Sequence, residues 1–271
     1  MIGNSLKAVT AAVLITFAVP AFAEPTDEQM EANAKAQELG RQIYLHDQAA
    51  WHGTDALFGE IKAEDHPELR GYVVDTSASQ NLDLVFYAED EEGLYEFATY
   101  NVDGSDIISG GLVDSDGRVP LPEALQKLAA ARDAAIEEVA KREWGLCTNS
   151  TPNFIMLPPD ADGNIGVYVL TSTTEQGVYP FGGHYRVDIA ADGSVASARK
   201  FTNSCLNLGL QNGPNGEAPV AMGVTHILDD QPTEIHYFQS YYIPAKLMVI
   251  LPDDNWEIEK GTFTGLIDLD Q

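Results

Sequence analysis

Apolar residues along the chain change between a helical and a strand period, which divides the sequence into four blocks. The first block, residues 25–58, repeats apolar side chains at three- and four-residue steps, the spacing of one helix face. Thr26 is placed to cap this helix, and Gln29 completes a capping box. Gly53 is placed to end or kink it. The apolar line runs through Met30, Ala36, Leu39, Ile43, Ala50 and Leu57.

From Arg70 onward the apolar period falls to two, and short runs rich in Val, Tyr, Phe and Ile alternate with turn residues. This spacing predicts the strands of an antiparallel meander. Residues 120–144 then return to a helical period, with prolines near the first turn and many alanines. Gly145 is placed to terminate this second helix.

The C-terminal half returns to strand patterns. Asp162-Gly163 and Asp192-Gly193 are strong hairpin signals. Four segments each predict two strands about a turn: residues 153–174, 182–203, 223–242 and 246–263.

These blocks predict an α+β fold. It consists of an N-terminal helix, an antiparallel strand meander, a second helix and a larger antiparallel strand block with hairpins. We expect residues 24–271 to form a single domain, with sub-lobes 24–145 and 146–271 as the alternative.

The N-terminus has the pattern of a secretory signal peptide over residues 1–23. Lys7 precedes an uncharged apolar run, and Ala21 and Ala23 provide the small residues that signal peptidase requires. The run is too short to span a bilayer, and no later stretch approaches the roughly 20 apolar residues of a membrane helix. We therefore expect cleavage after Ala23 and a soluble periplasmic or secreted protein.

The chain is strongly acidic, with 42 Asp+Glu against 15 Lys+Arg and a formal net charge of −27 at pH 7. Such a field repels nucleic-acid phosphates and anionic headgroups, because their binding needs cations. We exclude nucleic acid and unaided membrane-surface binding. An envelope protein or a cationic partner fits the charge, and so does plain solubility outside the cell.

Cys147 and Cys205 are the two cysteines of the chain. An even count in an exported protein predicts a disulfide. The alternative is a catalytic thiol at Cys147, but no nucleophile signature surrounds it.

The segment THILDDQPTEIHYF, residues 225–238, carries the candidate metal ligands. If it forms a hairpin with a loop of three or five residues, then His226, Glu234 and His236 share one sheet face. Two histidines and a carboxylate suit zinc, and His184 would supply a third imidazole. A two-residue loop would place the histidines on opposite faces. Without a metal, they are half-buried sheet residues bonded to neighbours.

Weaker patterns remain. Acids at Asp-Gly turns would suit calcium, but none completes a calcium-binding loop, so plain turns are favoured. Asp47, Trp51 and Asp55 fall on one helix face, where a solvated edge anchored by a buried Trp is the common arrangement.

No phosphate-binding loop, dinucleotide fingerprint, nucleophile elbow or H-E-x-x-H helix is present. We therefore expect a non-catalytic binding or structural role with no cofactor, and no catalytic residue is assigned. The alternative is a metal-dependent hydrolase, with His226 and His236 as zinc ligands and His184 or Glu234 completing the shell.

Overall fold

The computed structural model describes residues 25–77, 81–114, 117–213 and 215–268, so the predicted signal peptide at 1–23 lies outside the described residues. Within these ranges the chain is α+β, with three α-helices and fourteen strands, as predicted. None of the helices there is long and apolar enough to cross a membrane.

The helices are α1 (Asp27–Glu60), α2 (Glu123–Lys141) and α3 (Glu234–Tyr242). The strands of the first half are β1 (Leu69–Asp75), β2 (Leu82–Asp90), β3 (Gly93–Asp103) and β4 (Asp106–Leu112). Those of the second half are β5 (Asn153–Met156), β6 (Ile165–Leu170), β7 (Val178–Pro180), β8 (Tyr185–Ile189), β9 (Val195–Lys200), β10 (Asn207–Gly209), β11 (Ala221–Thr225), β12 (Lys246–Ile250), β13 (Asn255–Glu259) and β14 (Thr262–Leu266).

The strands form three four-stranded sheets and one small ribbon. The N-terminal sheet has the order β1-β2-β3-β4, the central sheet β5-β6-β8-β9 and the C-terminal sheet β11-β12-β13-β14. Strands β7 and β10 form the ribbon. Among the strand pairs of the described residues, β11 and β12 are parallel and the others are antiparallel.

Helix α1 begins as predicted. The backbone N–H of Gln29 donates to Thr26 Oγ1 at 3.2 Å, and that of Thr26 donates to Gln29 Oε1 at 2.9 Å. Gly53 does not end the helix, which continues to Glu60. A Cβ at Gly53 would lie 2.3 Å from Leu84 Cδ2, so the glycine serves close packing of the helix on β2.

Helices α1 and α2 pack on opposite faces of the N-terminal sheet. Its two faces bury alternate residues, as the period of two requires. Leu84 and Phe86 face α1, whereas Val85 and Tyr87 face α2. This confirms the predicted meander and places it between two helices.

Helix α2 is confirmed, but Gly145 does not end it. The last helical residue is Lys141, and Arg142 caps the helix. Glu143 then takes a left-handed conformation, with φ of 54°, and turns the chain. The helix therefore stops before the glycine.

The central sheet is buried on both faces. In β6, Val167 and Val169 pack towards α2, whereas Tyr168 and Leu170 pack towards α1 and α3. The sheet therefore lies between α2 on one side and the other two helices on the other.

The predicted hairpin over residues 225–238 is wrong. Strand β11 ends at Thr225, and α3 begins at Glu234 and leads to β12. A parallel strand pair needs such a crossover, because a tight turn joins only antiparallel strands. Residues 234–240 of α3 are all buried, so this helix is enclosed on every side.

The disulfide between Cys147 and Cys205 is confirmed, with a Cα–Cα distance of 5.4 Å. It ties the segment after α2 to the segment after β9. A Cβ at Gly183 would lie 2.4 Å from Cys147 Sγ, and one at Gly182 would lie 2.4 Å from Ser204 O. The two glycines therefore allow the chain to pass close to the bridge.

Helices α1 and α3 approach each other closely at Gly40, where a Cβ would lie 2.4 Å from Tyr237 Cβ and 2.8 Å from Glu234 O. We predict that Gly40→Ala lowers the free energy of unfolding by about 1–3 kcal/mol, because a backbone or core shift must make room. Gly59, in the same helix with nothing within 4 Å, provides the control. Gly59→Ala should be neutral or stabilising by up to about 1 kcal/mol in urea unfolding. Equal effects of both variants would contradict the close contact.

Candidate functional site: a buried histidine cluster

The structure brings two of the predicted metal ligands together, although not in a hairpin. His226 directly follows β11, and His236 lies in the first turn of α3. Their ring centroids are 4.8 Å apart with the planes at 79°, and both residues are buried. The crossover connection, rather than strand pairing, therefore creates the histidine pair.

His236 caps the helix that carries it. The backbone N–H of Thr233 donates to His236 Nδ1 at 3.0 Å, which is the reciprocal bond of a capping box. Since a backbone N–H can only donate, Nδ1 is the acceptor and the neutral ring carries its proton on Nε2. Burial, reinforced by neighbouring His226, lowers the pKa of His236 to about 3.

Two further histidines are also buried and neutral. His184 accepts from the backbone N–H of Thr171 at Nδ1, 3.2 Å, and its Nε2 donates to the carbonyl of Pro180 at 2.8 Å. His46 Nδ1 donates to the carbonyl of Gln42 at 2.8 Å. Burial lowers the pKa of each imidazole to about 4. The predicted third ligand, His184, therefore has both ring nitrogens engaged.

His226 belongs to an ionic cluster. Its Nε2 lies 2.8 Å from Asp229 Oδ2, and Arg199 donates to both oxygens of Asp229 at 3.0 and 2.8 Å. Burial alone would raise the pKa of Asp229, but the hydrogen bonds from His226 and Arg199 lower it to about 2. Asp229 thus joins the loop before α3 to strand β9.

Glu234 forms its contacts with a different set of residues. As the first residue of α3, it accepts at Oε1 from Tyr168 Oη at 3.0 Å and from Arg186 Nη1 at 3.4 Å. Arg186 also donates to Asp188 at 2.8 Å. The carboxylate therefore fastens the start of α3 to β6 and β8, and the histidine pair has Asp229 as its acidic neighbour instead.

The histidine pair borders a small cleft with room for about one water molecule. The cleft is lined by Phe181, Phe201, Thr202, Leu206, Val224, Thr225, His226, Thr233, Ile235 and His236. Its wall is mostly apolar. Across the described ranges, no group of three or more His, Cys, Asp or Glu side chains is arranged to hold a metal ion.

A second polar cluster was not foreseen from the sequence. Asp47 is buried and accepts from Tyr242 Oη at 2.5 Å and from Asn153 Nδ2 at 3.0 Å, while Gln48 Nε2 donates to Tyr242 Oη at 3.0 Å. Burial raises the pKa of Asp47, although these hydrogen bonds oppose the shift. The expectation of a solvated edge with a buried Trp is wrong, since Asp47 is buried and Trp51 is 53% exposed. No local pattern could show this, because Tyr242 is 195 positions away.

The carboxylates in two of the acidic turns considered for calcium accept hydrogen bonds from backbone N–H groups of the same turn. Asp160 accepts from the backbone N–H groups of Asp162 and Asn164 at 3.0 and 2.9 Å. Asp192 accepts from that of Ser194 at 3.0 Å. Carboxylates that bond the residues following them are typical of ordinary turns.

Comparison with protein families, curated proteins and solved structures gives no match to this chain. Evidence for its function therefore comes from its own residues.

The three buried histidines predict a pH-dependent stability. An unfolded histidine titrates near pH 6.5, whereas His46, His184 and His236 in the folded protein have pKa values of about 4, 4 and 3. Between these values the unfolded chain binds more protons. The free energy of unfolding is therefore fully retained above about pH 6.5 and falls below it, by about 1.4 kcal/mol per pH unit for each histidine.

Urea unfolding between pH 7 and about pH 5, above the range of ordinary carboxylates, measures this slope. His236→Gln removes one titrating ring, while its side-chain oxygen can still accept from Thr233, and should reduce the slope by roughly one third. A stability that does not change over this range would contradict the neutral buried rings.

Proposed function

We propose that the protein has a non-catalytic binding or structural role in the bacterial cell envelope or outside the cell. The observation that supports this proposal is that buried ionisable side chains cap a helix or bond one helix or strand to another. His236 caps α3, Glu234 fastens α3 to the central sheet, and Asp47 joins α1 to α3 and β5. Groups committed in this way are poorly placed to exchange protons with a substrate.

Export is supported by the intramolecular disulfide and by the signal-peptide pattern at residues 1–23. The net charge of −27 is consistent with a role away from nucleic acids and anionic lipid surfaces. A cationic envelope partner suits the same charge.

A metal-dependent hydrolase is the competing proposal, and one contact favours it. His226 pairs through Nε2 with Asp229, and a carboxylate behind a histidine is common around zinc, leaving Nδ1 for the metal. The bonding of His236 opposes it, because Nδ1 is occupied by Thr233 and Nε2 carries the proton. Ligation by His236 would therefore require a helix cap to break.

Zinc titration separates the two proposals. We expect that zinc added to the chelator-treated protein at neutral pH leaves the melting temperature unchanged, and that calorimetry detects no stoichiometric site. A ligand that binds the folded state at one hundred times its Kd would add about 2.7 kcal/mol of stability. His66, a partly exposed histidine paired with Glu68, provides the matched control. Zinc stabilisation that disappears in His226→Ala but persists in His66→Ala would overturn the non-catalytic role.

A further inference from the structure

Strand β4 forms an open edge of the N-terminal sheet. It pairs with β3 along one side, and no other strand of the described ranges pairs with its outer side. Every residue of β4 except Gly111 is exposed. Its outer backbone N–H and C=O groups are therefore free to pair with another extended chain.

The edge has a bulge at Ile108, since Ile107 pairs with Val102 and Ser109 pairs with Asn101, but it lacks two other features that protect such strands. Proteins commonly place Lys or Pro on exposed edges, but the sequence of β4, DIISGGL, has neither. It instead exposes three large apolar side chains, with Ile108 55% accessible; the others are Ile107 and Leu112. An edge of this composition favours strand addition.

The stretch of chain that contains β4 is acidic, although Arg70 and Arg118, which flank it, pair with Glu89, Asp90 and Glu92. Residues 71–117 contain eleven acids and no Lys or Arg, which gives this stretch a net charge of −11. The acids are Asp75, Asp83, Glu89, Asp90, Glu91, Glu92, Glu96, Asp103, Asp106, Asp114 and Asp116. Glu60 of α1 adds another carboxylate beside β4, since a Cβ at Gly111 would lie 3.9 Å from its Oε2.

The central sheet has an edge strand of the opposite character. Strand β9 also exposes an apolar residue, Val195, but carries Arg199 and Lys200. Cations on an edge strand discourage pairing with other chains. The contrast distinguishes β4 from an edge strand with ordinary protection.

The acidic charge also indicates which kind of chain can pair with β4. Two copies of this chain would bring two strongly acidic sheets together, and like charges across an interface are unfavourable. A cationic segment gains from the same field, both in affinity and in the rate of encounter. A partner strand is therefore favoured over a second copy.

We infer that β4 is a docking edge for an extended segment of a partner protein in which apolar residues alternate with Lys or Arg. The segment adds a fifth strand beside β4, its backbone pairs with the open edge, and its cations face the acids of the sheet. This inference rests on the proposed binding role and names the surface and the class of partner.

The test uses a fluorescein-labelled peptide of alternating Val and Lys and the disulfide-bonded protein, with binding read by fluorescence anisotropy at about 0.1 M salt. We expect saturable binding that Ile108→Lys weakens by about tenfold or more, since the variant adds a like charge and removes an apolar contact. Val195→Lys on β9 is the matched control and should bind as the wild type does. The same peptide with alternate backbone nitrogens methylated keeps its charge but cannot pair as a strand, and should bind at least about tenfold more weakly.

Three results would overturn the inference. They are equal binding of the methylated peptide, equal weakening by Ile108→Lys and Val195→Lys, or an Ile108-dependent dimer in sedimentation. Each result would show that β4 does not bind a partner strand, and none of them depends on zinc binding. Failure of the docking inference can therefore be distinguished from failure of the proposed non-catalytic role.

Discussion

The close approach of α1 and α3 is the constraint on which the rest of the structure depends. Gly40 lets the backbone of α3 lie against α1, and α3 in turn carries the crossover that makes β11 and β12 parallel. The same α1 packs on the N-terminal sheet at Leu84 and on the central sheet through Ile43. Gln37 of α1 also accepts from the backbone N–H of Phe263 in β14. One long helix thus contacts all three four-stranded sheets, and its packing determines the position of the short helix α3.

Helix α3 also takes part in several of the buried polar contacts. His236 satisfies its N-terminus, Glu234 bonds to Tyr168 and Arg186, and Tyr242 bonds to Asp47. A buried polar group is costly unless it is hydrogen-bonded, so these bonds fix the helix in one position. The groups that resemble a catalytic set in the sequence therefore act as connectors. On the surface, in contrast, β4 exposes apolar side chains within an acidic sheet.

Local patterns were sufficient for much of the fold. The capping box at Thr26, the meander, α2 and the disulfide were all predictable, because each depends on residues close in sequence or on a simple count. Residues 225–238 were not, because a short apolar segment fits a strand or a buried helix equally well. His226 and His236 meet through a crossover that only the tertiary structure reveals, and not across the predicted hairpin. The Asp47–Tyr242 bond joins residues 195 positions apart and leaves no local signal.

The central claim, that the buried histidines serve the fold, is tested most directly by the protonation of their rings. Long-range ¹H–¹⁵N correlation spectra of the imidazoles at neutral pH distinguish the two neutral tautomers. The hydrogen bonds predict the Nε2–H form for His184 and His236 and the Nδ1–H form for His46. A His236 ring with its proton on Nδ1, or one whose nitrogen chemical shifts change when chelator is added, would contradict the claim. Either result would favour metal binding by the histidine pair.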